Sequence, residues 1–125
     1  MIQYLLDTDC SIYAMLGTFP ALAVRLIACE PDQVAISAIS FAEIVMGESK
    51  GKPPDMPVIE AFLRVIPMLA FDEAAARAYA TMPFKRRSFD RLIAAHALSI
   101  GAVVVTNNEA DFADVPGLML ENWTI

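Results

Sequence analysis

The sequence predicts an α/β fold: a three-layer α/β/α sandwich in which a central, mostly parallel sheet of four to five strands lies between helices. Short apolar runs alternate with longer stretches of helical periodicity, which is the first sign of this class. The run at 102–106 is β-branched, as in a strand buried on both faces. Acidic residues also follow the apolar runs, at the edge where parallel sheets place their sites.

The composition predicts one domain over residues 1–125 with a well-filled core. The chain is 57% hydrophobic, has a mean hydropathy of +0.51 and carries a net charge of −6. The longest stretch without formal charge, residues 92–108, includes a histidine, a glycine and two asparagines, so we expect no membrane span. The cysteines have no metal-binding spacing, and two acids interrupt the N-terminus where a signal peptide needs apolar residues. We therefore expect a cytoplasmic protein with reduced thiols and an exposed apolar patch that a partner covers.

The first half of the chain predicts two strands and four helices. The strands cover residues 2–6 and 33–37, and each is followed directly by helical periodicity. The helices are expected at 10–16, 20–29, 38–47 and 58–65. Gly47 is expected to end the third of these helices, because glycine commonly follows a helix. Residues 48–57, rich in proline, glycine and charge, form the one evident loop.

The second half predicts three strands, two long helices and one short helix. The strands are expected at 66–71, 102–106 and 118–123, the first helix at 72–82, and the short helix within 107–113. The clearest helix covers residues 88–101, with Ser88 as its N-cap and Gly101 as its end. Its predicted apolar stripe consists of Phe89, Leu92, Ile93, Ala97 and Ile100. The methionines are expected to fill the core, namely Met15, Met46, Met56, Met68, Met82 and Met119.

Four acidic residues are expected at the same edge of this sheet. Asp7 ends the first strand, Glu43 lies in the helix after the second strand, Asp90 lies in a helix first turn, and Asp111 follows the fourth strand. Taken singly, each has an ordinary structural explanation, such as a favourable helix first turn. Together, they would repel one another unless a positive group lay between them. Mg²⁺ or Mn²⁺ suits such oxygen ligands and supports phosphodiester cleavage, so we predict a divalent metal site.

Three stretches give the sequence a family resemblance. They read YLLDTDCSIY (4–13), AISAISFAEIVMGE (35–48) and SFDRLIAAHALSIGAVVVTNNEADFADVPGLMLENW (88–123). In this order they resemble the three blocks of the PIN-domain ribonuclease family, and specifically its VapC-type toxins. The resemblance implies a Mg²⁺- or Mn²⁺-dependent endoribonuclease of a type II toxin–antitoxin pair. It also implies a cognate antitoxin with a DNA-binding domain, an RNA substrate and a homodimer.

The resemblance assigns roles to seven positions. Asp7, Glu43, Asp90 and Asp111 match the family's acidic residues and are the expected metal ligands and catalytic residues. Polar positions that support the site are matched by Thr8, Thr106 and Asn108. The chain departs from the family at Asp9, where Asn is usual, which adds a negative charge near the metal.

Two further groups have both a structural and a functional interpretation. His96, the only histidine, lies nearly two helical turns from Asp90, so we expect it to be part of the helix framework. The basic cluster of Lys85, Arg86, Arg87 and Arg91 is either an ordinary solvated turn or a set of contacts to RNA phosphates.

Two other functions remain open from the sequence. The Asp-x-Asp pattern at positions 7–9 also occurs in haloacid-dehalogenase-type phosphatases, which use an Asp nucleophile. The chain lacks the late acidic pair that those enzymes need. A PIN-like module that binds RNA or a partner without cleaving anything is the second alternative, against which the four acids argue.

Overall fold

The sheet has five strands, all parallel, in the order β3-β2-β1-β4-β5. A computed structural model describes all residues, 1–125. The strands are β1 (Tyr4–Leu6), β2 (Val34–Ser37), β3 (Met68–Leu69), β4 (Val103–Val105) and β5 (Leu120–Glu121). The chain builds outward from β1 through β2 to β3, then returns to the other side of β1 with β4. This reversal between β1 and β4 opens a crevice at the carboxyl edge, the usual ligand site of open α/β sheets.

Six α-helices and one 3₁₀ turn surround the sheet. The helices are α1 (Thr8–Leu16), α2 (Pro20–Ile27), α3 (Ala38–Ser49), α4 (Met56–Leu63), α5 (Glu73–Tyr79) and α6 (Phe89–Ile100), and the 3₁₀ turn covers Glu109–Asp111. Because neighbouring strand residues point to opposite faces, Leu5 and Leu6 enter different apolar clusters. The Leu5 cluster includes α5 and α6, and the Leu6 cluster includes α1 to α4. The prediction of a three-layer α/β/α sandwich is confirmed.

Local capping explains where the site-bearing helices begin and end. Asp7 has extended backbone and caps α1, so this helix starts at Thr8 rather than at residue 10. Ser88 caps α6, and Gly101 ends it in the left-handed conformation (φ 68°), as predicted. The prediction that Gly47 ends α3 is wrong, since the helix continues to Ser49. Gly47 lies in the last turn of α3, and its carbonyl oxygen accepts hydrogen bonds from the backbone N–H groups of Lys50 (3.0 Å) and Lys52 (2.9 Å).

Two predictions about the apolar side chains are wrong. Phe89, predicted in the buried stripe of α6, is 54% exposed, whereas Arg91 is buried in its place. Met46, Met68 and Met119 are exposed rather than core residues. The apolar interior beneath α6 is instead formed by its alanines and Ile93.

No single helix is long and apolar enough to cross a membrane. Only α1 and α2 taken together reach that length and composition, and they meet at a bend of 94°.

Candidate active site

Asp7 lies at the reversal point of the sheet, directly after β1. Its side chain is 5% exposed, its backbone N–H donates to Val105 O (3.0 Å), and its Oδ1 accepts from Cys10 N (2.8 Å). Burial raises the pKa of the carboxyl group, while hydrogen bonds from the Thr106 side chain and the Cys10 backbone oppose that rise. The helix N-terminus therefore helps to hold a buried carboxylate in the crevice.

Glu43 faces this crevice from α3. Its Oε1 accepts a hydrogen bond of 2.6 Å from the Thr8 hydroxyl, which comes from the first residue of α1. Burial raises the pKa of Glu43, the Thr8 hydrogen bond opposes this, and the charges of Asp9 and Asp7 add to the rise. Thr8 thus links a carboxylate on α3 to the helix that Asp7 caps.

Asp90 has the most strongly perturbed carboxyl group of the cluster. Burial is the main cause, and the charges of Asp7, Asp111, Glu43 and Asp9 together with it raise its pKa to about 6. Every charge in that set is negative. Asp90 therefore shows that the acids from β1, α3, α6 and the 3₁₀ turn share one electrostatic environment.

Asp111 is held by a short polar chain that starts at the end of β4. The Asn108 backbone N–H donates to Thr106 Oγ1 (3.0 Å), and the Asn108 side-chain amide donates to Asp111 Oδ2 (2.5 Å). The three polar residues expected from the sequence to support the site all contact it. Thr8 binds Glu43, Thr106 binds Asp7, and Asn108 binds both Thr106 and Asp111.

No basic side chain of the protein neutralises the acid cluster, by which we mean Asp7, Glu43, Asp90 and Asp111. The ion pairs lie elsewhere and join the N-terminus to Asp32, Arg25 to Glu121, Arg77 to Glu73, and Arg91 to Asp114. No three carboxylates close on a point as in a preformed metal cage. The donor set still fits Mg²⁺ or Mn²⁺, because these hard cations need only one or two carboxylates and keep several waters.

Asp9, the departure from the family pattern, lies exposed in the first turn of α1. Its charge contributes to the raised pKa values of Asp7, Glu43 and Asp90, in each case less than burial does. Asp9 therefore adds negative potential at the mouth of the crevice without being buried in it.

The predicted basic cluster is divided by the fold. Lys85, Arg86 and Arg87 are exposed and take part in none of the ion pairs; these three residues, 85–87, are called the basic turn. Arg91 is 2% exposed, and its Nη2 donates to both carboxylate oxygens of Asp114 at 2.6 Å. The guanidinium of Arg91 is therefore committed to Asp114, and the phosphate-contact interpretation continues with the basic turn alone.

His96 belongs to the framework of α6, as its spacing indicates. Its Nδ1 lies 2.7 Å from Ser37 Oγ, and its ring packs edge-on against Phe71 at 5.6 Å between centroids. Burial lowers the pKa of His96 and so favours the neutral imidazole, although the charge of Asp72 opposes this shift. The sequence did not indicate Ser37 as the partner of His96. It also did not indicate Asp114 as the partner of Arg91, because a single acid in this segment belongs to no recognisable pattern.

The family follows from the whole-chain comparison. A model of the PIN domain matches residues 4–118, and the chain belongs to the PIN-domain family, among its VapC-type members. The tRNA(fMet)-specific endonuclease VapC of Shigella flexneri is 32% identical and covers 99% of this chain, which in turn covers 100% of that protein.

Solved structures agree over nearly the full length. VapBC2 from Rickettsia felis, bound to a DNA fragment from its promoter, superposes with a TM-score of 0.85 at 30% identity. DNA-bound VapBC from Salmonella typhimurium gives 0.87 at 29% identity. Each match covers 98% of this chain and 99% of the matched chain. The family resemblance of the three sequence blocks is therefore confirmed.

Proposed function

We propose that this chain is the ribonuclease toxin of a type II toxin–antitoxin pair, and that it hydrolyses RNA phosphodiester bonds with a bound Mg²⁺ or Mn²⁺ ion. The observation that carries the proposal is the acid cluster at the reversal of the sheet, which no cation of the protein neutralises. The VapC-type relatives, named as ribonucleases, support the RNA substrate. Solved VapBC assemblies support an antitoxin partner.

Different residues of the chain would have different roles in the hydrolysis. One or two of the four acids Asp7, Glu43, Asp90 and Asp111 would bind the metal ion directly, and the others would bind it through its waters. The Cys10 amide, Thr8 and Asn108 orient Asp7, Glu43 and Asp111, respectively. When bound, Mg²⁺ or Mn²⁺ supplies positive charge for the scissile phosphate and lowers the pKa of water. Water would form the new P–O bond as the bond from phosphorus to a ribose oxygen breaks, and the proton that the water loses would end on that leaving oxygen. Since His96 is tied to Ser37, no protein histidine serves as the base.

Substrate and partners follow from the same surface. The basic turn would hold RNA phosphates that a protein of net charge −6 otherwise repels. Because one relative is named for tRNA(fMet), a structured tRNA is the first substrate to try.

Exposed apolar side chains, Val24 and Ile27 on α2 among them, offer surface to an antitoxin or to the second copy expected in a homodimer. Both cysteines are free, which agrees with a cytoplasmic protein.

Incubating the purified protein with total small RNA and with initiator tRNA tests the proposal. We expect discrete cleavage in Mg²⁺ or Mn²⁺ and none in chelator. Asp90→Asn should abolish cleavage, whereas Glu60→Gln, an exposed acid of α4, should not. Intact RNA under all conditions would leave the binding-module alternative. Metal-dependent release of phosphate from a phosphomonoester, with intact RNA, would favour the phosphatase.

A further inference from the structure

Phe89 is an exposed aromatic residue immediately beside the acid cluster. It is the first residue of α6, it precedes Asp90, and it is 54% exposed, although phenylalanine is among the residue types most often buried. It lines two surface cavities. Nothing in the proposed hydrolysis uses it.

The first cavity is an apolar slot that shares one wall with the acid cluster. It has a volume of about 270 Å³, and its lining residues are Ala42, Glu43, Met46 and Phe89. Met46 lies one turn after Glu43 on α3 and is 58% exposed. Glu43 is the only charged residue of the lining, so whatever fills the slot lies against an apolar wall and next to a site carboxylate.

The second cavity is also lined by Phe89 and reaches the basic turn at Arg87. It has a volume of about 350 Å³ and is lined by Tyr79, Arg87, Ser88, Phe89 and Leu92. Arg87 has φ 58°, a left-handed conformation that L residues rarely adopt, and its side chain is exposed. Phe89 therefore lines both the cavity that contains Glu43 of the acid cluster and the cavity that contains the exposed Arg87.

We propose that Phe89 stacks on one nucleobase of single-stranded RNA in the slot formed with Ala42 and Met46, while the basic turn holds an adjacent phosphate. Proteins read unpaired RNA by stacking its bases on aromatic side chains while cations track the backbone. The charge arrangement selects RNA over an apolar peptide, because the ligand needs a flat apolar part beside Phe89 and an anionic part at Arg87. This subsite deepens the proposed function and rests on it for the identity of the substrate.

Binding of two short fluorescent strands in chelator tests the proposal. One strand is oligoadenylate, and the other is an abasic ribose-phosphate strand of equal length, which has the same phosphates and no bases. The parent should bind oligoadenylate more tightly than the abasic strand. Phe89→Ala should weaken oligoadenylate binding by roughly 5- to 100-fold and leave abasic binding unchanged, since stacking involves only the base. Phe89→Trp, which keeps an aromatic ring, should keep the preference for oligoadenylate over the abasic strand. Phe89→Leu, which keeps only an apolar side chain, should lose it.

A matched surface variant and a protein-capture assay distinguish base stacking from a general loss of surface or from a protein ligand. Met119, the residue before β5 and 56% exposed, provides the variant Met119→Ala, which should bind both strands like the parent. A parent without a base preference, or a Phe89→Ala protein that keeps it, overturns the proposal. Loss of antitoxin capture with unchanged RNA binding in Phe89→Ala also overturns it, in favour of a protein ligand. The proposed function fails separately, if the parent cleaves no RNA in Mg²⁺.

Discussion

Asp90 and Arg91 are neighbours in the first turn of α6, but their charges are handled in opposite ways. The Arg91 guanidinium is buried and bound to both oxygens of Asp114, a residue 23 positions further along the chain. The Asp90 carboxyl group is surrounded by other acids, which together with burial raise its pKa to about 6. The cation of Arg91 is thus one residue away from Asp90 in the sequence, but it binds Asp114 and does not neutralise the acid cluster.

This difference separates a structural charge from a functional one. A buried cation that already has an anion contributes to the packing of α6 against the segment after Asp111. A carboxylate left among like charges costs stability in the free protein, and it keeps affinity for a cation from outside. Variants of the acid cluster and of the Arg91–Asp114 pair should therefore differ in what they change.

The largest expected effect is that of Asp7→Asn. We expect RNA cleavage to fall by more than about 100-fold, because even changes to residues that only orient metal ligands cost ~10–100-fold. In chelator the variant should melt no lower than the parent, since the substitution relieves repulsion and asparagine still caps α1. Added Mg²⁺ should raise the melting temperature of the parent and raise that of the variant much less.

The matched control for Asp7 is Asp55, which caps α4 through Val58 N (3.3 Å) in an exposed position. Asp55→Asn should keep both cleavage and the Mg²⁺ response. An Asp7→Asn protein that melts well below the parent in chelator, or cleaves at the parental rate, would identify Asp7 as a structural residue.

The next effect concerns the Arg91–Asp114 pair and should be asymmetric. Asp114→Ala leaves a buried guanidinium without its anion, so we expect a melting temperature lower by roughly 5 °C. Arg91→Met removes the buried cation and leaves only an exposed carboxylate; it also removes Nε and Nη1, which have no hydrogen-bond partner. This variant should melt within about 2 °C of the parent. Equal losses in both variants would show that the pair itself stabilises the fold.

Replacing the basic turn should affect RNA binding more than folding. The triple variant Lys85→Ala, Arg86→Ala and Arg87→Ala should bind RNA more weakly and reduce the slope of log affinity against log salt by up to roughly 2. The control triple is Lys50→Ala, Lys52→Ala and Arg64→Ala, which changes the net charge equally at positions after α3 and α4. Equal slopes in the two triples would return the basic turn to an ordinary solvated loop.

The smallest effect is the pH dependence that Asp90 confers on the metal-free protein. In the unfolded chain Asp90 titrates near 3.8, and in the folded protein its pKa is about 6. Between these values the folded state binds a proton that the unfolded state has lost, so stability falls as the pH rises through this window. In chelator at pH 7, Asp90→Asn should therefore melt on the order of a few degrees above the parent.

Comparison with the Asp90→Asn variant isolates this carboxyl group from other titrations. The lowered pKa of His96 has the opposite sign, since there stability rises with pH, and it is common to both proteins. The advantage of the variant should shrink as the pH falls toward 5. An advantage that is the same at both pH values would mean that Asp90 is not destabilised by its acidic neighbours.

The site was predictable from the sequence where local rules decide the position of a residue. Asp7 directly follows the apolar run of β1, and Asp90 lies two residues after the N-cap Ser88, so both positions followed from strand and helix signals. The rotation of α6 about its own axis did not follow from the sequence. Phe89 was expected to be buried and is exposed, whereas Arg91 is buried. Helical periodicity defines the buried stripe only to within about one residue position. In addition, the anion that binds Arg91 comes from a segment far along the chain.

The sequence by itself determined the order of strands and helices along the chain, both caps of α6 and the family of the protein. These depend on runs of neighbouring residues and on motifs that can be read along the chain. Only the tertiary structure decided that β4 lies beside β1, that Thr8 supports Glu43, and that four other acids lie close enough to Asp90 to raise its pKa. Each of these depends on distances between residues far apart in the chain, and a charge or hydrogen bond acts through distance in space.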